Sequence, residues 1–374
     1  MKPFNLCIIK PNEDSFSETF IQEHINRLPG NKKVIYGGAF PLYDDRGKYL
    51  IKSKTSLLSY LFQKKILKRK NIPVRNKALA AYLTREKIDV VFAEYGMVGA
   101  MVTPACKMAN VPLIIHFHGA DVHHQPTIKE YLPFYQEAFL YASYLVSVSG
   151  VMTQELVKLG APPEKIVTAS CGVDTLTFPV IDISHSDRNF LSVGRFVEKK
   201  SPVSVVRAFK IVSEKFPDAH LWMAGNGPLF NETNDLIKHL NLESKITLTG
   251  VVNTDQLKKL MQQSRCFVQH SVTADNGDKE GTPVTILEAG SSGLAIVSTL
   301  HAGIMEAVIN GETGYLVDEH DIDGMAHYMI KIAADVKLAS ELGIKEAAHI
   351  RKCYDINDRI NTLTSILEDS IKKN

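Results

Sequence analysis

The sequence predicts an α/β protein built from two doubly wound, Rossmann-like domains. Short β-branched or apolar runs alternate with amphipathic helical patterns along almost the whole chain, which is typical of parallel sheets covered by helices on both faces. The alternation forms two series, separated by the polar stretch DISHSDRN at residues 182–189. A chain of 374 residues is also long enough for two domains rather than one.

Twelve strand candidates follow one another along the chain. The first series comprises residues 4–9, 33–36, 89–94, 111–118, 144–149 and 165–170. The second series comprises residues 189–194, 219–225, 245–250, 265–270, 294–299 and 313–317. The last part of the chain has helical periodicity only. We therefore predict a first domain over residues 1–180, a second over 181–350, and a helix over 351–374 that returns to the first domain.

Composition excludes several classes of protein. The chain has 43 Lys and Arg against 41 Asp and Glu, so its overall charge implies no nucleic-acid partner. Its five cysteines are dispersed and form no CxxC pair, which is typical of reduced thiols in the cytoplasm. No apolar run reaches the ~20 residues that span a bilayer, and the first residues have no signal-peptide pattern. We expect a cytoplasmic protein.

The segment KEGTPVTILEAGSSG predicts a helix whose start is suited to an anion. Pro283 fits the first helical position, where its missing N–H leaves nothing unpaired, and Thr282 fits the N-cap. Gly281 lets a ligand approach the backbone closely. Because the N–H groups of a helix start point at the ligand, this segment predicts a phosphate site.

Two carboxylates and two cations accompany this helix start. Glu280 precedes it in the loop, and Glu288 lies five residues into the helix, about 7.5 Å further along the axis. Arg195 and Lys200 follow a strand that ends at Gly194, and both side chains bind phosphate oxygens well. The set suits an elongated ligand with a charged middle and hydroxyl groups at both ends, such as a nucleotide sugar. Each residue taken singly is also compatible with a solvated surface position.

The stretch MAGNGP ends another strand with two glycines. Gly225 and Gly227 are predicted to leave space for a flat base or a sugar near the backbone. The chain contains no GxGxxG motif, which argues against a nicotinamide-dependent enzyme.

With these residues the second half of the chain resembles the retaining glycosyltransferases of family 4, which have the GT-B fold. The resemblance rests on SVGRFVEKKSP, AGNGP, CGVDTLTF and GDKEGTPVTILEAGSSGLAIVSTLHAGIMEAVINGETGYLV, within residues 171–317. The segment DNGDKEGTPVTILEA looks closest to bacterial enzymes of exopolysaccharide and colanic-acid-type assembly. The resemblance implies two domains facing across a cleft. It also implies transfer of a sugar from a nucleotide-diphosphate sugar, with UDP as the expected nucleotide, to a growing glycan or lipid-linked acceptor.

The resemblance also implies a role for each candidate residue. Arg195 and Lys200 would hold the donor diphosphate, and the backbone of residues 281–283 would meet the sugar and phosphate. Glu280 would contact the hydroxyl groups of the donor sugar, and Glu288 those of the ribose. No cofactor or metal is implied beyond the nucleotide-sugar co-substrate. Retention would follow from front-face attack, in which the leaving phosphate accepts the acceptor's proton.

The stretch IIHFHGADVHH in the first half has two further interpretations. It resembles the acceptor-domain histidine motif of the same family, which implies that His118 lies near the reacting sugar. The rival interpretation is a metal site of a metal-dependent hydrolase, because His116 and His118 share one face of a strand. No later strand end offers ligands that would complete such a site. A strand-end histidine satisfied by its own loop is the third possibility.

The loop after the first strand departs from the family pattern. Many members carry a Gly-Gly turn there, which lets the donor phosphate approach, whereas residues 10–28 contain none. Ser17 is the predicted N-cap of the helix that follows, with Glu18 and Thr19 behind it. We assign no donor contact to this loop.

A basic segment occupies residues 46–85, which contain twelve Lys and Arg and no acidic residue. Within it, Leu58, Leu61, Phe62 and Ile66 form an apolar stripe surrounded by cations. A basic amphipathic helix is typical of a peripheral membrane element, here at the inner face of an anionic membrane. The alternative is an ordinary helix that packs its stripe on the sheet.

The sequence thus favours a retaining, metal-independent glycosyltransferase. Two alternatives stay open: the metal-dependent hydrolase with the His116 and His118 cluster, and a sugar-nucleotide-binding protein without catalytic activity.

Overall fold

The computed structural model describes residues 3–13 and 18–373, so the predicted N-cap Ser17 lies outside the described residues. The chain forms two compact units. Residues 1–169 and 360–374 make up the first unit, and residues 170–359 make up the second.

The second unit begins earlier than the sequence suggested, at residue 170 rather than 181. Several hydrogen bonds join the intervening segment to this unit, and two of them lie near its end. Ser291 Oγ donates to the carbonyl of Phe178 at 2.7 Å, and the amide of Ile181 donates to the carbonyl of Ser292 at 2.9 Å. The chain therefore enters the second unit before the polar stretch that marked the expected boundary.

The first unit contains a parallel six-stranded sheet. Its strands are β1 (Asn5–Lys10), β2 (Asn31–Tyr36), β3 (Val90–Glu94), β4 (Leu113–His116), β5 (Tyr144–Ser147) and β6 (Ile166–Thr168). Its helices are α1 (Thr19–Arg27), α2 (Lys54–Lys65), α3 (Pro73–Arg85), α4 (Gly96–Ala109), α5 (Gly119–His123), α6 (Gln125–Tyr141) and α7 (Gly150–Lys158). The strand order is β2-β1-β3-β4-β5-β6. Strands β3 and β4 are buried along their whole length, as continuous apolar runs in a central parallel strand should be.

The second unit repeats this architecture. Its strands are β7 (Asn189–Val193), β8 (His220–Ala224), β9 (Ile246–Gly250), β10 (Cys266–Val268), β11 (Ala295–Thr299) and β12 (Gly314–Val317). Its helices are α8 (Pro202–Lys215), α9 (Phe230–His239), α10 (Thr254–Gln262), α11 (Val284–Ser291), α12 (Ile304–Ala307), α13 (Ile322–Ala334) and α14 (Val336–Cys353). Helix α15 (Ile356–Lys373) starts in this unit, and its later part belongs to the first. The strand order is β12-β11-β10-β7-β8-β9.

The predicted fold class is confirmed. Each of the twelve predicted strands coincides with an observed one, and their ends differ by at most two residues. In both sheets the strand order reverses once, between β1 and β3 in the first and between β7 and β10 in the second. Because ligands of doubly wound sheets bind beyond the carboxyl ends of the strands beside such a reversal, these are the places where a site is expected.

Helix α2 presents the predicted apolar stripe to solvent. Leu58 is 68% exposed, Phe62 54% and Ile66 66%, so the alternative in which the stripe packs on the sheet is wrong. The helix is held instead by Tyr60, which is buried in a small apolar cluster with Ile72. The basic segment therefore carries an exposed apolar surface as well as its cations.

Two further observations concern membranes and thiols. Among the described residues, no helix combines the length and the apolar character needed to cross a bilayer. The five cysteines form no disulfide with one another, and four of them are buried.

Candidate functional site

Helix α11 begins one residue later than predicted. Pro283 is its N-cap, because the Pro283 carbonyl accepts the first helical hydrogen bond, from the amide of Ile286 at 3.0 Å. The ψ angle of Pro283 is 109°, which is extended rather than helical. The prediction of Thr282 as N-cap and Pro283 as the first helical residue was therefore wrong. Because proline has no side-chain acceptor, the N-cap residue cannot satisfy the first-turn N–H groups.

Glu280 and Lys200 form a largely buried ion pair in front of this helix. Lys200 Nζ lies 3.2 Å from Glu280 Oε2, and it also donates to Gln269 Oε1 at 3.3 Å. Glu280 Oε1 is buried and has no hydrogen-bond partner among the described residues. Burial alone would raise the pKa of Glu280, but Lys200 and Lys199 outweigh it and hold that pKa below its usual value. Burial in turn lowers the pKa of Lys200, against the opposing effect of Glu280.

A pocket lies beside these residues, at the reversal of the second sheet. It contains about 270 Å³ of open space and is lined by Arg195, Lys200, Gln269 and the backbone of Gly194. Gly194 and Arg195 follow β7, and Gln269 follows β10, its neighbour in the sheet. Arg195 is exposed, whereas Lys200 is only partly so. The pocket is thus an electropositive concavity where a doubly wound sheet binds its ligand.

Gly225 and Gly227 have a different role from the predicted one. A Cβ on Gly225 would lie 1.9 Å from the carbonyl oxygen of Gly194, and one on Gly227 would lie 2.5 Å from that of Phe196. Their φ angles are also positive, at 139° and 159°. The two glycines therefore allow one loop to pack on another, and the space that they release is already filled by backbone.

The loop that carries Glu280 is attached to the turn that carries Lys200. Lys199 Nζ donates to Asp278 Oδ1 and to the carbonyl of Lys279, both at 3.1 Å. The amide of Val272 donates to the carbonyl of Lys199 at 2.9 Å. Lys199 is only 9% exposed, so its ion pair with Asp278 is shielded from solvent.

Glu288 is the fifth residue of α11 and is partly buried. Burial raises its pKa to about 8. This shift favours the protonated carboxyl group, which can donate one hydrogen bond and accept others.

His118 lies in the first unit, directly after β4. Its amide donates to Asp121 Oδ2 at 2.8 Å, and its Nε2 lies 3.1 Å from Glu94 Oε2. Its ring packs against those of Phe20 and Tyr95, with centroids 4.4 and 4.7 Å away. Tyr95 has a φ angle of 78°, which costs strain energy in a residue other than glycine.

Three histidines surround the buried carboxylate of Glu94, which ends β3. Besides the contact with His118, His24 Nδ1 lies 2.6 Å from Glu94 Oε1 and His116 Nδ1 lies 3.3 Å from Oε2. Burial would raise the pKa of Glu94, but the histidines hold it well below its usual range. Burial, reinforced by His118, lowers the pKa of His116 to about 3, so this ring is neutral at physiological pH.

This cluster offers the metal-site interpretation ligands that the sequence did not reveal. The ligand atoms of His24, Glu94 and His116 lie within 4.8 Å of one another. However, His24 and Glu94 approach to 2.6 Å, which is a hydrogen-bond distance. If two ligand atoms were each bound to a tetrahedral zinc ion at about 2.0–2.1 Å, they would lie about 3.3 Å from one another. The observed geometry therefore fits a carboxylate that accepts hydrogen bonds from imidazoles.

The predicted site residues thus fall into two groups. Arg195, Lys200 and Glu280 lie together around the second-unit pocket and the start of α11, and His118 lies in the first unit. The sequence analysis did not single out Glu94, His301 or Glu319, although each lies at or just beyond the carboxyl end of a strand. His24 lies on α1 and had no such signal.

Two domain families match the chain. The family described as Glycosyl transferases group 1 matches residues 174–348, and Glycosyltransferase Family 4 matches residues 56–176. Together the matches include the candidate residues of both units apart from His24.

Curated relatives of the chain include proteins named for colanic acid and amylovoran biosynthesis. The chain is 29% identical over 317 residues to the putative colanic acid biosynthesis glycosyltransferase WcaL of Escherichia coli K12, which covers 81% of this chain and 77% of that protein. It is 27% identical over 249 residues to the amylovoran biosynthesis glycosyltransferase AmsK of Erwinia amylovora, which covers 66% of this chain and 61% of that protein.

Solved structures share the fold at low identity. Anabaena Alr3699/HepE in complex with UDP superposes with a TM-score of 0.77 at 16% identity, over 98% of this chain and all of that one. The sucrose-phosphate synthase of Thermosynechococcus elongatus gives 0.76 at 16% identity, over 99% of this chain and all of that one. The chain therefore contains a family 4 glycosyltransferase domain followed by a group 1 glycosyltransferase domain, and it has the GT-B fold.

Proposed function

We propose that the protein is a retaining, metal-independent glycosyltransferase of bacterial exopolysaccharide biosynthesis. It moves a sugar from a nucleotide-diphosphate sugar, with UDP as the nucleotide, to a growing glycan or a lipid-linked acceptor. The observation that carries this proposal is the buried pair of Lys200 and Glu280 at the start of α11. The names of the relatives support polysaccharide assembly, and the UDP bound to the similar Anabaena structure supports the nucleotide.

The donor diphosphate binds between the pocket cations and the helix start. Arg195 supplies a forked donor and Lys200 a point charge, and the first-turn N–H groups of α11 add partial positive charge. These groups stabilise the negative charge that develops on the diphosphate as the sugar leaves, so they lower the barrier as well as bind the ground state.

The two glutamates recognise the two ends of the donor. Glu280 is charged and its buried Oε1 has no partner within residues 3–13 and 18–373, so that oxygen accepts a hydrogen bond from a hydroxyl group of the donor sugar. Glu288 binds the ribose hydroxyl groups, which accept and donate as its protonated carboxyl does. The backbone of Gly281, Thr282 and Pro283 meets the sugar and phosphate.

His118 holds the reacting sugar from the first unit. The acceptor hydroxyl attacks the anomeric carbon from the face of the leaving group, and the departing phosphate oxygen takes the hydroxyl proton. Such a mechanism depends on positioning and electrostatics rather than on a side-chain base.

Nucleotide affinities test the donor site. Lys200→Met and Arg195→Ala should each weaken UDP binding at least about tenfold and leave uridine binding within about twofold, because charge-assisted hydrogen bonds to phosphate are the strong ones. Lys258→Met, on α10, is the matched control, since its side chain is 40% exposed and pairs with Asp255 on the same helix. Equal losses of UDP and uridine affinity in the Lys200 variant would contradict the assignment.

Chelation and donor hydrolysis test the two alternatives. Activity should survive EDTA, because protein cations take the place of a metal at the diphosphate. Activity that is lost on chelation and restored by a divalent ion would favour the hydrolase with the His24, Glu94 and His116 cluster. Slow release of UDP from a UDP-sugar without acceptor separates an enzyme from a binding protein that lacks catalytic activity.

The basic segment supports attachment to the cytoplasmic face of an anionic membrane. Each Lys or Arg near such a surface contributes about 1 kcal/mol, and the exposed side chains of Leu58, Phe62 and Ile66 can add apolar burial. Flotation with phosphatidylglycerol vesicles should recover the protein at low salt, and phosphatidylcholine vesicles should not. The double variant Leu58→Ser/Phe62→Ser should lose binding, whereas Leu140→Ser on α6, an equally exposed leucine, should keep it. Binding that ignores lipid charge would refute this part.

A further inference from the structure

His301 lies under the backbone of Glu280 with its ring orientation fixed from both sides. The amide of Glu280 donates to His301 Nε2 at 3.1 Å. A backbone N–H can only donate, so Nε2 carries a lone pair and the ring proton sits on Nδ1. His301 Nδ1 in turn lies 2.6 Å from Glu319 Oε1, which accepts that proton's hydrogen bond. The contacts therefore assign a single neutral tautomer to a histidine that is 1% exposed.

Glu319 is itself anchored. Its Oε2 accepts from the amide of Thr273 at 2.7 Å, and its Oε1 accepts from Thr273 Oγ1 at 3.2 Å. Burial would raise the pKa of Glu319, but the bonds from Thr273 and His301 hold it below its usual value. The residue after it, His320, has a φ angle of 68°, so the backbone is strained where Glu319 turns inward.

A second bond attaches the same loop to the residue after Glu280. The amide of Gly303 donates to the carbonyl of Gly281 at 3.1 Å, and a Cβ on Gly303 would lie 2.1 Å from that oxygen. Between the two attachments Ala302 has a φ angle of 43°. The loop from β11 to α12 thus hydrogen-bonds to the backbone of residues 280–281 at two points. Ala302, between these two points of the loop, has a left-handed backbone conformation.

We propose that His301, oriented by Glu319, is a positioning residue that sets the direction of the Glu280 carboxylate. The backbone of Glu280 is fixed by His301 and one of its carboxyl oxygens by Lys200, so the remaining oxygen points in a determined direction. The inference rests on the proposed function for the ligand of that oxygen, the donor sugar. His301 touches no donor atom in this scheme and acts only through Glu280.

Two substitutions separate positioning from packing. His301→Phe keeps the ring shape and removes the acceptor, whereas His301→Gln keeps an acceptor at the reach of Nε2. The substrate is whichever of UDP-glucose, UDP-galactose and UDP-N-acetylglucosamine the wild type turns over best. With this substrate His301→Phe should lower kcat at least about tenfold, because displacements of about 1 Å at a reacting centre have such effects. His301→Gln should restore most of the loss. His327→Phe, at an exposed histidine of α13, is the matched control.

UDP affinity and histidine NMR complete the test. UDP should bind both variants within about threefold of wild type, because the diphosphate is held by other groups. The ring ¹⁵N shifts of His301, assigned by its loss in His301→Gln, should show a protonated Nδ1 and an unprotonated Nε2. Wild-type kcat in His301→Phe, a kcat loss that Gln does not restore, or the opposite tautomer would each overturn the inference. A wild type that neither binds UDP nor consumes a UDP-sugar would refute the proposed function, and the tautomer would still decide whether His301 holds Glu280.

Discussion

Glu346 should make the second unit less stable as the pH rises. This residue of α14 is 0% exposed, and its carboxyl oxygens have no well-directed hydrogen bond among the described residues, although the Thr313 side chain lies close to them. It faces Gly290 of α11, where a Cβ would lie 2.9 Å from Glu346 Cγ. Burial raises its pKa from 4.5 to about 8, although Thr313 acts in the opposite direction. We expect Glu346→Gln, which has the same shape and cannot ionise, to remove this penalty.

The sign follows from proton binding. Between pH 4.5 and about 8 the folded protein keeps the Glu346 proton and the unfolded chain has lost it. The unfolded state therefore binds fewer protons, so this group's contribution to stability is complete below pH 4.5 and is lost as the pH rises through about 8. At about 1.4 kcal/mol per pH unit the ceiling is roughly 5 kcal/mol, and relaxation around the carboxylate reduces the expected loss to about 2–3 kcal/mol.

Urea unfolding measured between pH 5 and 9 tests this prediction. The single tryptophan, Trp222, lies on β8 of the same unit and reports its unfolding by fluorescence. Glu346→Gln should match the wild type within about 1 kcal/mol at pH 5 and exceed it by about 2–3 kcal/mol at pH 8.5. Glu341→Gln, exposed on the same helix, should follow the wild type throughout. Parallel pH curves for wild type and Glu346→Gln would refute the reasoning.

Four other substitutions probe the fold. Gly225→Ala should lower the free energy of unfolding in urea by at least about 2 kcal/mol, because the new Cβ would clash with Gly194. Gly250→Ala should lower it by about 1 kcal/mol, because Gly250 lies in open space at a φ angle of 71°. Equal losses in the two variants would show that the clash does not matter. Lys165 donates to three carbonyls at the end of α6, so Lys165→Met should lower the free energy of unfolding by about 1–2 kcal/mol. An unchanged midpoint of urea unfolding would show that these hydrogen bonds do not stabilise the fold. The pKa of His116 is about 3 when folded, so the wild type should lose about 2 kcal/mol from this group between pH 6.5 and 5, while His116→Leu should show no such loss.

The sequence was sufficient for the features that depend on chain order. Apolar runs placed every strand, because a central parallel strand is buried on both faces and reads as an unbroken apolar segment. Lys200 and Glu280 are far apart in sequence, yet they follow β7 and β10, which are neighbours in the second sheet. Their approach could therefore be expected from strand-end positions alone.

Features that depend on which face a helix packs against the sheet could not be predicted from the sequence. The α2 sequence carries apolar residues on more than one face, and only the structure shows that Tyr60 is buried while Leu58 and Phe62 remain exposed. Likewise, His24 meets Glu94 because α1 presents that face to the sheet. No spacing rule links residues on a helix to a strand end seventy positions away.

The attachment of Lys199 has a consequence for attempts to change donor choice by exchanging segments with relatives. Asp278 and the backbone of residues 272–279 are bonded to the turn at 198–200, so the two stretches form one exchangeable unit. A chimera that receives only the segment around Glu280 from a relative would leave the buried ammonium group of Lys199 without the carboxylate of Asp278. Exchange of residues 195–201 together with 272–283 keeps the ion pair of Lys199 and Asp278 within one graft.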